Sequence, residues 1–227
     1  MTRSATHSRR QKEKEDRKDA ILSAAREVFF EQGIRRATVD EIAARAEVAK
    51  GTVYLYFDSR ETMLAHLLLE GLDSLNERLE AAFDESAPAG TAAPGGEARL
   101  RRLALAYLDF QEKEPDYFRL MMAFDRGHFR EAVNTEVYEQ VVHRGLRGLR
   151  WVVRAIQQGI ESGEFKPGDA RQQAGMIWAA LNGVLVLTSH PLRRELLEQE
   201  VETLYQGVLE TMLAGMKNPK SQAPNSK

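Results

Sequence analysis

With 227 residues, 43% of them hydrophobic, the chain can build one large or two modest domains around a core that needs no metal or crosslink. It contains no cysteine, which excludes disulfides, thiolate metal sites and thiol nucleophiles and agrees with a reducing cytoplasm, the expected location. The net charge of -2 hides an asymmetry: residues 1–60 carry 13 Lys+Arg against 10 Asp+Glu, and the remainder 19 against 24. A weakly basic head on an acidic body suits a protein that touches nucleic acid at one end.

In chain order, residues 1–15 are polar and basic with almost nothing to bury, and are expected to be a disordered arm. No apolar run within residues 1–18 suggests a signal peptide. Ala20, Ile21, Ala24, Ala25, Val28 and Phe29 then recur at helical spacing up to Gly33.

Thr38 to Leu64, TVDEIAARAEVAKGTVYLYFDSRETML, is the most informative stretch. Thr38 and Glu41 form a capping box that starts a helix at Val39, and the apolar stripe Ile42, Ala43, Ala46 ends after about two turns. A second short helix begins near Ala49. Val53 and Tyr54 are expected to face inward, and Lys50, Thr52 and Tyr56 outward. Gly51 lets the backbone approach another surface, for which phosphate is the natural candidate. Asp58 and Glu61 repeat the capping pattern and open a third helix whose first turn carries Arg60. Two short helices, a tight turn and a third helix are the arrangement of a helix-turn-helix DNA reader. Lys50 should reach phosphate or a guanine edge, whereas Tyr54 serves packing and phosphate contact equally well.

AKGTVYLYF followed by SRE resembles the recognition helix and the start of the linking helix of TetR-type bacterial regulators, and the likeness covers roughly residues 17–68. The resemblance implies phosphate clamps at Thr38 and Arg60, although a pure capping role for Thr38 is an equal alternative. It also implies a ligand chamber in the carboxy-terminal body.

That body begins with Met63, Leu64, Leu67, Leu68, Leu72, Leu75 and Leu79 on one side of a long helix, which ends where the Pro- and Gly-rich residues 84–96 form a surface loop. Helices are expected at Glu97–Glu114 and Tyr117–Phe124. A long one, Phe129–Ser162, carries a small-residue face (Gly145, Gly148, Gly159) beside an arginine stripe at 144, 147, 150 and 154. The stripe reads as a solvated face paired with glutamates, the sharper alternative being an anchor for an anionic ligand head. Helices at Ala170–Ser189 and Arg193–Met216 and a disordered tail, 217–227, complete the chain. Leu181, Val184, Leu185, Thr188, Leu204, Tyr205, Val208 and Met212 are expected to form the dimer face, and Asn182 to make an inter-subunit hydrogen bond, the alternative being a ligand contact.

The sequence therefore predicts an all-α protein with a head at 16–60 and a body at 61–216. Tyr107, Phe110, Met121, Met122, Trp151 and Trp178 are the candidate lining of an apolar pocket, with ordinary core packing the competing reading. The function expected is that of a ligand-responsive repressor binding a palindromic operator as a homodimer, because one short reading helix gives too few base contacts. Its partners would be double-stranded DNA, a second copy and an apolar or amphipathic small molecule, with no cofactor, metal or membrane. Four of the five histidines, His66, His128, His143 and His190, are scattered and lack metal spacing, and the most hydrophobic stretch, 174–189, is too short to span a bilayer. A constitutive DNA binder without ligand is the alternative. An all-helical enzyme is disfavoured, since no catalytic constellation stands out.

Overall fold

The computed structural model describes residues 2–84, 94–124 and 129–219, with side chains from residue 7 onward. These residues form eleven helices: α1 (Thr2–Gln32), α2 (Val39–Arg45), α3 (Lys50–Tyr56), α4 (Arg60–Asp84), α5 (Gly96–Lys113), α6 (Pro115–Phe124), α7 (Phe129–Ala132), α8 (Thr135–Glu161), α9 (Ala170–Thr188), α10 (Pro191–Leu197) and α11 (Val201–Met216). The all-α class is as expected; a lone bridge between Phe165 and Lys217 is extended pairing outside any strand. No single helix among the described residues is long and apolar enough to cross a membrane.

The chain divides into two compact units, residues 1–72 with 116–142 and residues 73–115 with 143–227. The division falls inside α4 and α8, not at residue 60, because the first half of α4 spends its apolar face on the head.

In the first unit, Ile21, Ala25, Val28 and Phe29 of α1 share a core with Ile42 of α2, Val53 of α3, Met63, Leu64, Leu67 and Leu68 of α4 and Leu120 of α6. Helices of seven residues such as α2 and α3 are marginal alone and persist through this burial. Residues 2–15, expected to be disordered, continue α1 as helix. His7 to Arg17 are all exposed, and pairs such as Arg9–Glu13 (2.8 Å) and Gln11–Glu15 (2.9 Å) support these turns locally. Arg26 of α1 makes a forked pair with Glu70 of α4, which also accepts from the Tyr117 hydroxyl of α6 at 2.8 Å. Burial and the Glu70 carboxylate push the Tyr117 phenol up to about 12. The helix expected over 129–162 is two helices: the Asn134 side chain accepts from Val137 N at 2.9 Å and starts α8 anew.

In the second unit, close backbone approach occurs at Gly159 of α8, whereas a Cβ on Gly145 would meet nothing within 4 Å. A Cβ on Gly96 of α5 would lie 2.5 Å from the Gly159 backbone, and one on Gly148 would meet Leu79 and Asn76 of α4. The arginine stripe is largely held by α4, through Arg144–Asp73 (2.8 Å) and Arg147–Glu80 (2.6 Å), while Arg154 lies over the rings of Phe83 and Trp151. α9 packs along α11. The expected tail begins later than residue 217: Asn218 N donates to Glu164 O and Lys217 pairs with Glu97, while residues 220–227 lie outside the described residues. Most of the expected loop, residues 85–93, and His128 lie outside them too.

Candidate nucleic-acid interface

The capping box at Thr38 forms as the spacing predicts. Glu41 N donates to Thr38 Oγ1 at 3.3 Å, and Glu41 Oε2 accepts from Thr38 N at 2.8 Å. Hydrogen bonds from the Thr38 hydroxyl and amide hold the Glu41 carboxyl below its ordinary pKa. Thr38 nevertheless stands exposed, so capping leaves its surface open to a partner. Arg45, at the other end of α2, reaches Glu27 and Glu31 of α1 at 2.7 and 2.8 Å and fixes the two helices. The turn into α3 passes through Glu47 at φ 54, left-handed backbone carried by a residue with a Cβ, and closes with Val48 N donating to Ala43 O.

On α3, Val53 is wholly buried and Phe57, its C-cap, nearly so, which fixes the rotation of the helix about its axis. The two tyrosines are reversed from expectation. Tyr54 is 46% exposed, whereas Tyr56 is half-buried against the core. With seven residues and Val53 as the inward knob, positions 50, 56 and 57 lie nearest the core face, 52 and 54 at its flanks, and 51 and 55 farthest from it. Leu55, which the sequence reading passed over, is 79% exposed. The signal for it was present: it sits two residues after the buried Val53, on the opposite side of the helix. Lys50, Gly51 and Tyr54 are exposed with Leu55, and Thr52 is partly so. Lys50 Nζ rests on Asp40 Oδ2 at 2.8 Å, and that hydrogen bond and charge raise its pKa. Both partners are at least half exposed, so the pair is weak and a phosphate can replace Asp40. A Cβ on Gly51 would meet nothing within 4 Å, so no neighbour within the chain requires a glycine there.

The third helix, α4, is capped by Ser59 and not by Asp58: Thr62 N donates to Ser59 Oγ at 3.0 Å. Arg60 turns inward, its Nε donating to Ala37 O at 3.1 Å and its guanidinium lying 5.2 Å from the Phe29 ring. It thereby holds the residue preceding Thr38, and only a quarter of its side chain is exposed.

The residues expected to line a pocket fall in both units. Tyr107 and Phe110 are buried in the second, where the Tyr107 hydroxyl donates to Asn182 Oδ1 at 2.6 Å. Asn182 Oδ1 thus finds its partner within its own chain. Trp151 packs on Phe83 with ring centroids 4.8 Å apart, and Trp178 is half-exposed on α9. Trp151 Nε1 and Asn182 Nδ2 are buried donors with no acceptor among the described residues. Met121 and Met122 belong to the first unit on α6, whose Leu120, Ala123 and Phe124 help line a cavity of about 300 Å³ with Leu64 and Phe129.

The expected dimer face needs correction. Leu181, Val184, Leu185, Thr188 and Tyr205 are buried within the chain, because they are the residues by which α9 and α11 hold the second unit together. Leu204, Val208 and Met212 are only half-buried, and the outer side of the pair carries Gly175, Ala179, Gly183 and Gly207.

Residues 21–67 match the family model described as bacterial regulatory proteins, tetR family, and residues 100–212 match that of the tetracyclin repressor-like C-terminal domain. The fatty acid metabolism regulator protein of Bacillus subtilis is 28% identical over 217 residues, 91% of this chain and 99% of its own. The transcriptional repressor KstR2 of Mycobacterium tuberculosis is 29% identical over 151 residues, 66% of this chain and 70% of its own. Among solved structures, the regulator FadR from Bacillus subtilis in complex with stearoyl-CoA superposes with a TM-score of 0.66 at 25% identity, covering 87% of this chain and 98% of that one. The first match takes in α2, the turn at Glu47 and α3 and the second most of the helical body, and the chain belongs to the TetR family of bacterial regulatory proteins, DNA-binding regulators of transcription.

Proposed function

We propose that this regulator represses transcription as a homodimer on a palindromic operator and leaves DNA when an amphipathic acyl thioester binds it. The observation that carries the DNA contact is the outer side of α3, where Tyr54 and Leu55 stand in solvent beside Lys50 and Gly51. Large apolar side chains on a short helix that is otherwise pinned by burial suit a groove in which they can meet thymine methyl groups and sugars. Thr38, Thr52 and Tyr54 are the proposed flanking contacts. Tyr56 and Arg60 act more through the shape of the reader, the first by packing and the second by holding Ala37. Two copies, with their reading helices one DNA turn apart, supply the contacts that one helix lacks.

The acyl thioester is favoured by the relative solved with stearoyl-CoA and by the full-length likeness to a fatty acid metabolism regulator. Tyr107, Phe110 and Trp151 are the proposed contacts in the second unit, with the idle donors of Trp151 and Asn182 available to a carbonyl. Met121 and Met122 belong to the first unit and are not among these contacts, and Trp178 is the least enclosed of the six.

The test begins with a duplex enriched from a random library by the wild-type protein. Palmitoyl-CoA and stearoyl-CoA should raise the melting temperature and weaken binding to that duplex together, since coupling between two sites is reciprocal; free CoA should do neither. Lys50→Ala should lower affinity for the duplex and reduce its salt slope by about one per protomer if the contact is to phosphate. An acyl thioester that stabilises the protein at saturation yet leaves DNA affinity unchanged would overturn the proposed linkage.

A further inference from the structure

The amino-terminal half of α1 has no place in the head's core, yet it is not a random polar helix. Two heptad rows run its length: Lys14, Ile21, Val28 and Arg10, Arg17, Ala24. Seven residues return a helix to nearly the same face, with a drift of about 20°. The side that is apolar and buried from Ile21 onward therefore becomes cationic where the helix leaves the core. The acids Glu15, Asp16 and Asp19 lie on the other side, and Glu13, at the border of the stripe, takes Arg9 at 2.8 Å. Arg10, Lys14 and Arg17 are exposed and have no ion pair among the described residues.

The position of this stripe relative to the reader is fixed by Lys18. Its ammonium lies 5.6 Å from the ring of Phe57, the residue that caps the carboxy-terminal end of α3. Lys14 is one turn further out, and from Lys18 to His7 the helix projects about 17 Å. The cationic face therefore leaves the head beside the carboxy-terminal end of α3.

We propose that the amino-terminal extension of α1 is a second DNA-contact surface, in which Arg10, Lys14 and Arg17 clamp phosphates outside the bases that α3 reads. The proposal rests on α3 being the reader. Phosphate contacts of this kind add affinity and salt dependence without sequence preference. On the opposite side Arg9 and Lys12 are offset by Glu15, Asp16 and Asp19, so the unbalanced positive charge is on the Arg10, Lys14, Arg17 face.

Two double variants separate the faces: Arg10→Ala with Lys14→Ala, and Arg9→Ala with Lys12→Ala. Both remove two charges from the same turns, so loss of net charge and change of helix propensity are matched. Binding is followed by fluorescence anisotropy over a salt series, on the duplex enriched by wild-type protein and on a 40-base-pair duplex of random sequence. The first variant should reduce the slope of log affinity against log salt by about 1.8 per bound protomer on both duplexes, and weaken binding at 0.1 M salt by roughly ten- to sixty-fold. The second should match wild type within about twofold. Equal slopes for the two variants, or an unchanged slope for the first, would overturn the proposal, as would loss of binding to anionic phosphatidylglycerol vesicles with DNA affinity intact. If wild type binds neither duplex, the reader assignment fails as well; if Lys50→Ala weakens binding while the Arg10 and Lys14 pair does not, only the extension is lost.

Discussion

Gly51 costs the free protein stability. It lies in the first turn of α3, where alanine would be favoured by about 0.5–1 kcal/mol, and a Cβ there would meet no neighbour. A residue that the fold does not need is explained by what approaches from outside. Gly51→Ala should therefore raise the melting temperature by a few degrees while weakening DNA binding about tenfold or more. Scanning calorimetry and anisotropy on the same sample read the two opposite signs, and a variant that gains stability with DNA affinity unchanged would remove the backbone of α3 from the DNA surface. The tyrosines on either side of Leu55 show how far single residues are legible. Their presence is read directly from KGTVYLYF, but which one faces inward depends on the rotation set by Val53 and Phe57, and three-dimensional burial decided it against the simple alternation.

Elements were more legible than faces. Capping at Thr38, the short α2 and α3 and the long α4 follow from local spacing, and local hydrogen bonds confirm them. The dimer face did not follow, because α9 is apolar nearly all round and periodicity cannot say which side meets the same chain. The structure shows Leu185 turned into the second unit at 1% exposure, so a charge there would test folding and not assembly. Gly183 is the better probe. A Cβ at this position would meet nothing within the chain, and arginine is a stronger helix former than glycine. Gly183→Arg should leave the far-ultraviolet spectrum and melting of the monomer intact while sedimentation shows loss of the dimer and at least a hundredfold loss of affinity for a full palindrome. A variant that stays dimeric would place the interface elsewhere.

For the molecule as a whole, pH enters through His66. The imidazole stands edge-on to Phe57 with centroids 5.4 Å apart, and burial, followed by the charge of Lys18, lowers its pKa from 6.5 to about 4. A group depressed in the folded state binds its proton more readily when the chain unfolds. Its contribution to stability is then complete above pH 6.5 and is lost as the pH falls from there towards 4. His66→Phe should flatten the dependence of unfolding free energy on pH in that window, measured as the difference from wild type in urea titrations at pH 7.5, 6, 5 and 4.5. Parallel curves would show that His66 is not buried in its neutral form.

The aromatic inventory of the chain carries a practical consequence. Its two tryptophans, Trp151 and Trp178, both lie in the second unit and none lies in the reader. Indole emission is therefore an address label: excitation at 295 nm illuminates the second unit alone. Trp151, half-buried against Phe83 with an indole nitrogen that has no acceptor among the described residues, should emit to the blue of the half-exposed Trp178. The first unit carries no tryptophan, so a spectral change on adding DNA reports a change in the second unit. The unmodified protein thus reports signal transfer directly, without a dye on either partner.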